Sequence, residues 1–223
     1  MKIIVPLKSK NWLELKSKLS KITAEVDIIE IWLDEIFMDF MRQPQLLNEV
    51  TTTLQKLKSD LDIQILAVCK SRVEHGKFGG NSTQRFEILT LFLKLGGDLV
   101  DFDISQNHKD LLRQIPNERL WCSLHDFTGV PTDLEAQART MRTLNPAMYK
   151  FAVTPKSEAE LADFIKFAEN FTTQNPAIFT TMGEYGAIGR EKLKKHTWGA
   201  FYALDESETT ASGQPVLSDL SKT

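Results

Sequence analysis

Cysteine is scarce in this chain, with two in 223 residues, Cys69 and Cys122. Both sit in apolar, strand-like runs and not in a loop framework. A disulfide scaffold and a cysteine-based zinc site are therefore not expected, and the thiols read as buried and free, in a reducing compartment. Long apolar runs are lacking as well. The opening Met1-Lys-Ile-Ile-Val-Pro6 is too short for a signal peptide, and no segment reaches the roughly 20 apolar residues of a membrane span. The expected location is the cytoplasm. Neither sign of charge dominates: 27 Lys and Arg stand against 30 Asp and Glu, a formal net charge of −3. So weak a field does not point to nucleic acid or an anionic membrane, which leaves a small molecule as the expected partner. Low-complexity linkers are missing too, and the chain is long enough for one large core, so one domain over 1–223 is expected.

What is present is a repeat of short apolar runs: 2–6, 26–33, 63–69, 98–104, 120–125, 148–153, 177–182 and 198–204. Most are apolar on both parities, as parallel strands covered on both faces should be. Amphipathic segments lie between them. Trp12, Leu15, Leu19 and Ile22 fall at helical spacing within 11–22, and 45–61 and 82–95 repeat the pattern. Ser82 reads as a cap and Gly96-Gly97 as a stop. A further helix runs from Pro131 or Thr132 to about Leu144, and Ser157 with Glu160 forms a capping-box signature ahead of another. Strand and helix alternating about eight times predict an α/β chain folded as a single-domain (β/α)8 TIM barrel. A doubly wound open sheet is the competitor. The barrel is preferred because residues suited to chemistry end many different strands, whereas an open sheet collects them near one switch point.

Lys150 stands inside Met148-Tyr-Lys-Phe-Ala-Val153. A charged ammonium is costly to bury, so this lysine needs either a carboxylate partner or a role as a neutral amine that forms a Schiff base with a ketone. His125 ends the preceding strand, in Ser123-Leu-His-Asp-Phe127, and an imidazole there suits proton transfer near neutrality; the plain alternative is a structural histidine. Glu30 and Asp34, in Ile29-Glu-Ile-Trp-Leu-Asp34, suggest either a polar network that contacts ligand or an ion pair of Glu30 with Lys70 or Arg190. Lys70-Ser-Arg-Val-Glu74 leads into a glycine-containing loop, where Glu74 either orients His125 or is solvated. Arg190, after the glycine-punctuated Met182-Gly-Glu-Tyr-Gly186, is read as a cation at a helix start that suits a carboxylate ligand. Thr210-Ala-Ser-Gly-Gln214 is read as a lid or as an ordinary surface loop.

Together these segments resemble the type I 3-dehydroquinate dehydratase family. The likeness rests on Glu30-Ile-Trp-Leu-Asp34 against Glu-x-Arg-x-Asp, Ser123-Leu-His-Asp-Phe127 against Ser-x-His-Asp-Phe, and Lys150-Phe-Ala-Val153 against Lys-x-Ala-Val. Met182-Gly-x-x-Gly with Arg190, and Ser212-Gly-Gln214 against a Pro-Gly-Gln lid, complete it. The resemblance implies a lyase of the shikimate pathway, active without metal or organic cofactor, a homodimer, that dehydrates 3-dehydroquinate to 3-dehydroshikimate. It implies that Lys150 forms the imine, that His125 removes the C2 proton and protonates the departing C1 hydroxyl, and that Glu74 supports His125. Arg190 would hold the substrate carboxylate, with Glu30, Lys70, Thr210 and Gln214 also binding substrate.

The chain departs from the pattern at two cations. Trp32 stands where the family has arginine, and Lys70 where it usually has another; neither reproduces the planar fork of guanidinium donors. A weaker or differently tuned site is expected. A non-catalytic barrel of the same family and an aldolase-like Schiff-base barrel are the rival functions. The chain also starts at its first strand, without the N-terminal hairpin of some members, and a domain of a longer bifunctional protein is a further expectation.

Overall fold

The structure is a computed structural model that describes residues 1–104, 109–173, 175–211 and 213–222. Ser212 of the expected lid lies outside the described residues. In chain order the elements are β1 (Lys2–Leu7), α1 (Trp12–Leu19), β2 (Ile28–Trp32), α2 (Phe37–Arg42), α3 (Leu46–Leu61), β3 (Gln64–Val68), α4 (Ser82–Lys94) and β4 (Leu99–Asp103). They continue with α5 (Lys109–Leu112), β5 (Leu120–Asp126), α6 (Leu134–Arg142), β6 (Met148–Val153), α7 (Glu158–Thr172), β7 (Ala177–Thr181), α8 (Gly186–Leu193) and β8 (Gly199–Phe201). This is the element order of a (β/α)8 chain. By internal contacts it divides into two compact units, Ile3–Asp101 and Phe102–Thr223 with Met1–Lys2.

In the unit 3–101, β1 pairs with β2, β2 with β3 and β3 with β4, all in parallel. All five residues of β2 are buried, and so are Leu99, Val100 and Asp101 of β4, so both faces are covered and even the acids Glu30 and Asp101 lie inside. The strand expected over 26–33 is shorter because Val26 closes a turn onto the Thr23 carbonyl. Asn11 caps α1 by accepting the Glu14 N–H. Helix α4 is capped by Asn81 and not by Ser82: Asn81 and Gln84 exchange side-chain bonds with each other's backbone N–H, a reciprocal capping box. Helix α2 had no sequence signal, since its Met38 and Met41 face solvent and blur the apolar spacing.

In the unit 102–223, β5 pairs with β6 through six rungs, from Trp121↔Met148 to Asp126↔Val153, and β6 pairs with β7; both are parallel. Ser157 caps α7 as expected, but the Glu160 carboxylate reaches back to the Lys156 N–H, so the box is only half formed. Phe151 stacks on Phe179 at 5.4 Å and meets Phe167 and Phe171 of α7 edge-on at 5.2 Å each. Such pairs add to area burial and clamp helix to sheet. Strand β8 is only three residues long, shorter than the expected 198–204. Beyond Phe201 the chain is taken by another partner: Ala203 donates to the Pro215 carbonyl and bridges Val216.

Candidate active site

Lys150 is 4% exposed, and the strand register explains how it is accommodated. It is paired with Ser123, and His125 with Ala152, so the two-residue period of the strands puts Ser123, His125 and Lys150 on one face of the β5–β6 pair. Tyr149 and Phe151 point the other way, into the aromatic layer under α7. The Lys150 ammonium lies 4.4 Å from the ring centroid of Phe201 in β8, a contact that suits a cation or an amine beside a π face.

His125 Nδ1 is 2.7 Å from Asp103 Oδ2, and the same oxygen accepts the His125 backbone N–H at 2.9 Å. Both side chains are buried, and the imidazole stacks on Phe127. An acidic group on Nδ1 fixes the tautomer and ring orientation and directs proton exchange to Nε2. Asp103 is absent from the sequence-derived set, although Leu99-Val-Asp-Phe-Asp103 carries the same signal that marked Glu30, a carboxylate in an apolar strand. Asp126 has a structural task. Its Oδ1 accepts the N–H groups of Thr128 and Gly129 and the Thr128 hydroxyl, closing the turn after β5.

Arg190 is displaced from its expected place at a helix start. Helix α8 begins at Gly186, four residues before it, and Arg190 sits toward the end of that helix. Its Nε donates to the Thr181 carbonyl at the end of β7. Helix α8 can lie this close because Gly189 has no side chain: a Cβ there would meet Thr181 Oγ1 at 2.4 Å. Among the described residues the buried Nη1 of Arg190 has no hydrogen-bond partner. Burial pushes the guanidinium down to about 10, which leaves it a cation at neutral pH. Thr210 and Gln214 are hydrogen-bonded to each other. Gln214 Oε1 accepts the Thr210 N–H at 2.7 Å and its hydroxyl at 2.9 Å, while Gln214 Nε2 is buried and has no hydrogen-bond partner among the described residues. A buried unpaired donor carries a desolvation cost that a ligand oxygen would relieve.

In the unit 3–101, Glu30 is buried and accepts the Trp32 indole N–H at 2.9 Å. The ammonium groups of Lys8 and Lys70 lie 5.0 and 5.1 Å from the Trp32 ring centroid. Glu74 is 4% exposed, which rules out the solvated reading. Arg85 forks onto both its oxygens at 2.8 Å, and Ser71 donates to Oε2 through its N–H and its hydroxyl. The loop between β3 and α4 is correspondingly ordered, with a 3-10 turn at Arg72–Glu74 and a bridge from Ser71 to Phe78. Gly76 is required in it, because a Cβ would lie 2.0 Å from the Lys70 carbonyl oxygen. Asp34 Oδ2 accepts the Lys77 N–H at 2.7 Å, its Oδ1 has no hydrogen-bond partner among the described residues, and burial raises its carboxyl above the usual range. Among the described residues no three His, Cys, Asp or Glu side chains gather as a metal site, and no helix is long and apolar enough to cross a membrane.

A family model described as type I 3-dehydroquinase matches residues 3–223. A 3-dehydroquinate dehydratase of Streptococcus thermophilus is 27% identical over 230 residues, which cover 99% of this chain and 96% of that protein. The chloroplastic bifunctional 3-dehydroquinate dehydratase/shikimate dehydrogenase of Arabidopsis thaliana is 25% identical over 196 residues, 84% of this chain; the match spans 31% of that longer protein. In three dimensions the chain is similar to a type I 3-dehydroquinate dehydratase from Clostridium difficile, solved with covalently modified comenic acid. The TM-score is 0.81 at 23% identity, covering 99% of this chain and 90% of the other. The enzyme from Geobacillus kaustophilus gives a TM-score of 0.80 at 22% identity, covering 99% and 88%. The fold is accordingly the (β/α)8 barrel expected from the sequence.

Proposed function

The chain belongs to the type I 3-dehydroquinase family, and on that premise we propose that it is a hydro-lyase that converts 3-dehydroquinate to 3-dehydroshikimate through an imine on Lys150. The observation that carries this reading is the shared face of Lys150 and His125 on adjacent strands, with Asp103 holding the imidazole by Nδ1.

The neutral amine of Lys150 adds to the C3 ketone and water leaves, giving an iminium. This withdraws electrons from C2, so that His125 Nε2 can take the C2 proton and leave an enamine. The enamine expels the C1 hydroxyl as His125 returns the proton, so water departs and the double bond forms between C1 and C2. Hydrolysis of the imine then frees product and amine. In this reading Arg190 Nη1 and Gln214 Nε2, unpaired among the described residues, donate to substrate oxygens, Arg190 to the carboxylate, with Thr210 keeping Gln214 in place. Glu30 and Lys70 bind further oxygens, and Glu74 assists His125, as the family resemblance implies.

The test is incubation with 3-dehydroquinate and borohydride, followed by mass spectrometry for a reduced adduct on Lys150, with absorbance of the conjugated enone recorded in parallel. The expected result is both adduct and turnover, and the loss of both in Lys150→Ala. Dehydration retained in Lys150→Ala overturns the imine, and an adduct without enone formation overturns the lyase.

A further inference from the structure

Beyond the lyase reading, and independently of it, we propose that the cavity between α2 and α4 is a second small-molecule site. Its ligand is an organic ammonium, with the charged nitrogen on Asp34 and an apolar body against the methionines of α2. The cavity has a volume of about 540 Å³ and lies wholly within the unit 3–101, with Asp34, Phe37, Met38, Met41, Phe78 and Ile88 in its wall. That is the size of a pocket for a small ligand. None of the residues assigned to the lyase chemistry lines it.

Asp34 supplies an unanswered acceptor. It is 6% exposed; Oδ2 accepts the Lys77 N–H at 2.7 Å, and Oδ1 is buried with no hydrogen-bond partner among the described residues. Lys8 favours the carboxylate through its charge, yet its ammonium rests 5.0 Å from the Trp32 ring centroid and leaves Oδ1 without a hydrogen bond. Burial outweighs both neighbours and keeps the Asp34 carboxyl above its ordinary value, so a further donor on it is favourable. A carboxylate only accepts, and a cationic N–H makes a bond about twice as strong as a neutral one. The apolar wall is the second feature. Met38 and Met41 are 46% and 62% exposed although both line the cavity. Thioether side chains adapt to irregular apolar and aromatic partners. The other charges at the wall suit a cation as well: Glu87 is an exposed acid, and the Lys77 ammonium is 3.8 Å from Glu35.

Tryptamine is the probe. Tryptophol is its neutral hydroxyl counterpart, and indole-3-propionate is an anion of similar size. Calorimetry on the full chain measures affinity. Isotope-labelled methionine methyl groups report where the indole lies, because its ring current shifts the signals beside it; Met38→Leu and Met41→Leu assign them. Tryptamine is expected to bind wild type about tenfold more tightly than either counterpart and to move the Met38 and Met41 signals. Asp34→Asn keeps a carbonyl for the Lys77 N–H and removes the charge, and is expected to weaken tryptamine about tenfold. Met41→Trp fills the cavity from an exposed position where substitution costs little stability. It should abolish tryptamine binding while melting as wild type does. No tryptamine binding, equal affinity for tryptophol, unmoved Met38 and Met41 signals, or full affinity in Asp34→Asn or Met41→Trp overturns the site. So does a dimeric wild type that Met41→Trp converts to monomer, because this face would then belong to a second copy of the chain. Dehydration of 3-dehydroquinate enters none of these measurements, so failure of the site leaves the lyase reading standing, and failure of the lyase reading leaves the site.

Discussion

Asp103 holds His125 twice with one oxygen: Oδ2 meets the imidazole Nδ1 at 2.7 Å and the backbone N–H of the same residue at 2.9 Å. Side chain and main chain are thereby oriented together, and the ring cannot rotate without losing the oxygen that also holds the His125 backbone N–H. Asp103→Asn is nearly isosteric but presents an amide that can leave the ring in the wrong tautomer. The expected cost is about 10²- to 10⁴-fold in kcat, the range of a general acid-base contribution. The same substitution in a His125→Ala background should cost little more, because residues that act as a unit are not additive. Steady-state kinetics of the two single variants and the double variant check this; full additivity would place Asp103 outside the proton-transfer unit.

Arg85 and Glu74 form a buried fork at 2.8 Å on each arm. Arg85→Met leaves a carboxylate stranded in the interior, and the expected destabilisation is about 3–5 kcal/mol. Urea denaturation measures it. Adding Glu74→Gln to Arg85→Met should recover part of the loss, and a double variant no more stable than the single one would speak against the pair.

Asp34 links stability to pH. Its folded carboxyl is raised by burial above the ordinary value of 3.8. The folded protein therefore binds more protons than the unfolded chain between 3.8 and that raised value, and stability falls as pH rises through this window. Above the window the cost is complete; below it the cost vanishes. Asp34→Asn removes this dependence, so the stability of wild type relative to the variant should improve as pH is lowered toward the window's acid end. Parallel melts of the two proteins across mildly acid to neutral pH test the sign.

Gly76→Ala puts a methyl group 2.0 Å from the Lys70 carbonyl oxygen. Backbone cannot yield as a side-chain tip can, so the loop from β3 to α4 must shift, at an expected cost of about 1–3 kcal/mol. Because Lys70 carries the neighbouring carbonyl, KM for 3-dehydroquinate should rise along with the loss of stability. A variant with wild-type melting and wild-type KM would show the loop to be more compliant than its packing suggests.

Much of this was legible in the chain because a charged residue in an apolar strand is costly and has few explanations. Lys150 and Glu30 announced themselves in that way, and strands covered on both faces could be recognised by apolar residues on both parities. Asp103 bore the same mark and needed only the same reasoning. Arg85 was hidden: on an amphipathic helix an arginine reads as a solvent-facing residue, and only the tertiary structure turns it inward to 2% exposure. The position of Arg190 is not legible in the sequence, because the 3-10 turn at Gly183–Tyr185 and the start of α8 share a glycine-rich segment with no side-chain cap to mark the boundary.

Lys150 and Phe151 are chain neighbours facing opposite ways, one toward the proposed chemistry and the other into a layer with four further phenyl rings, Phe164, Phe167 and Phe171 of α7 and Phe179 of β7. The Lys150 nitrogen thus inherits its placement from a hydrocarbon layer it never touches. On the proposed reading, tuning of activity by selection or design need not start among polar groups: a methylene gained or lost beneath α7 would tilt the strand and re-aim the amine, making grease on the far side of the sheet a control knob for reactivity.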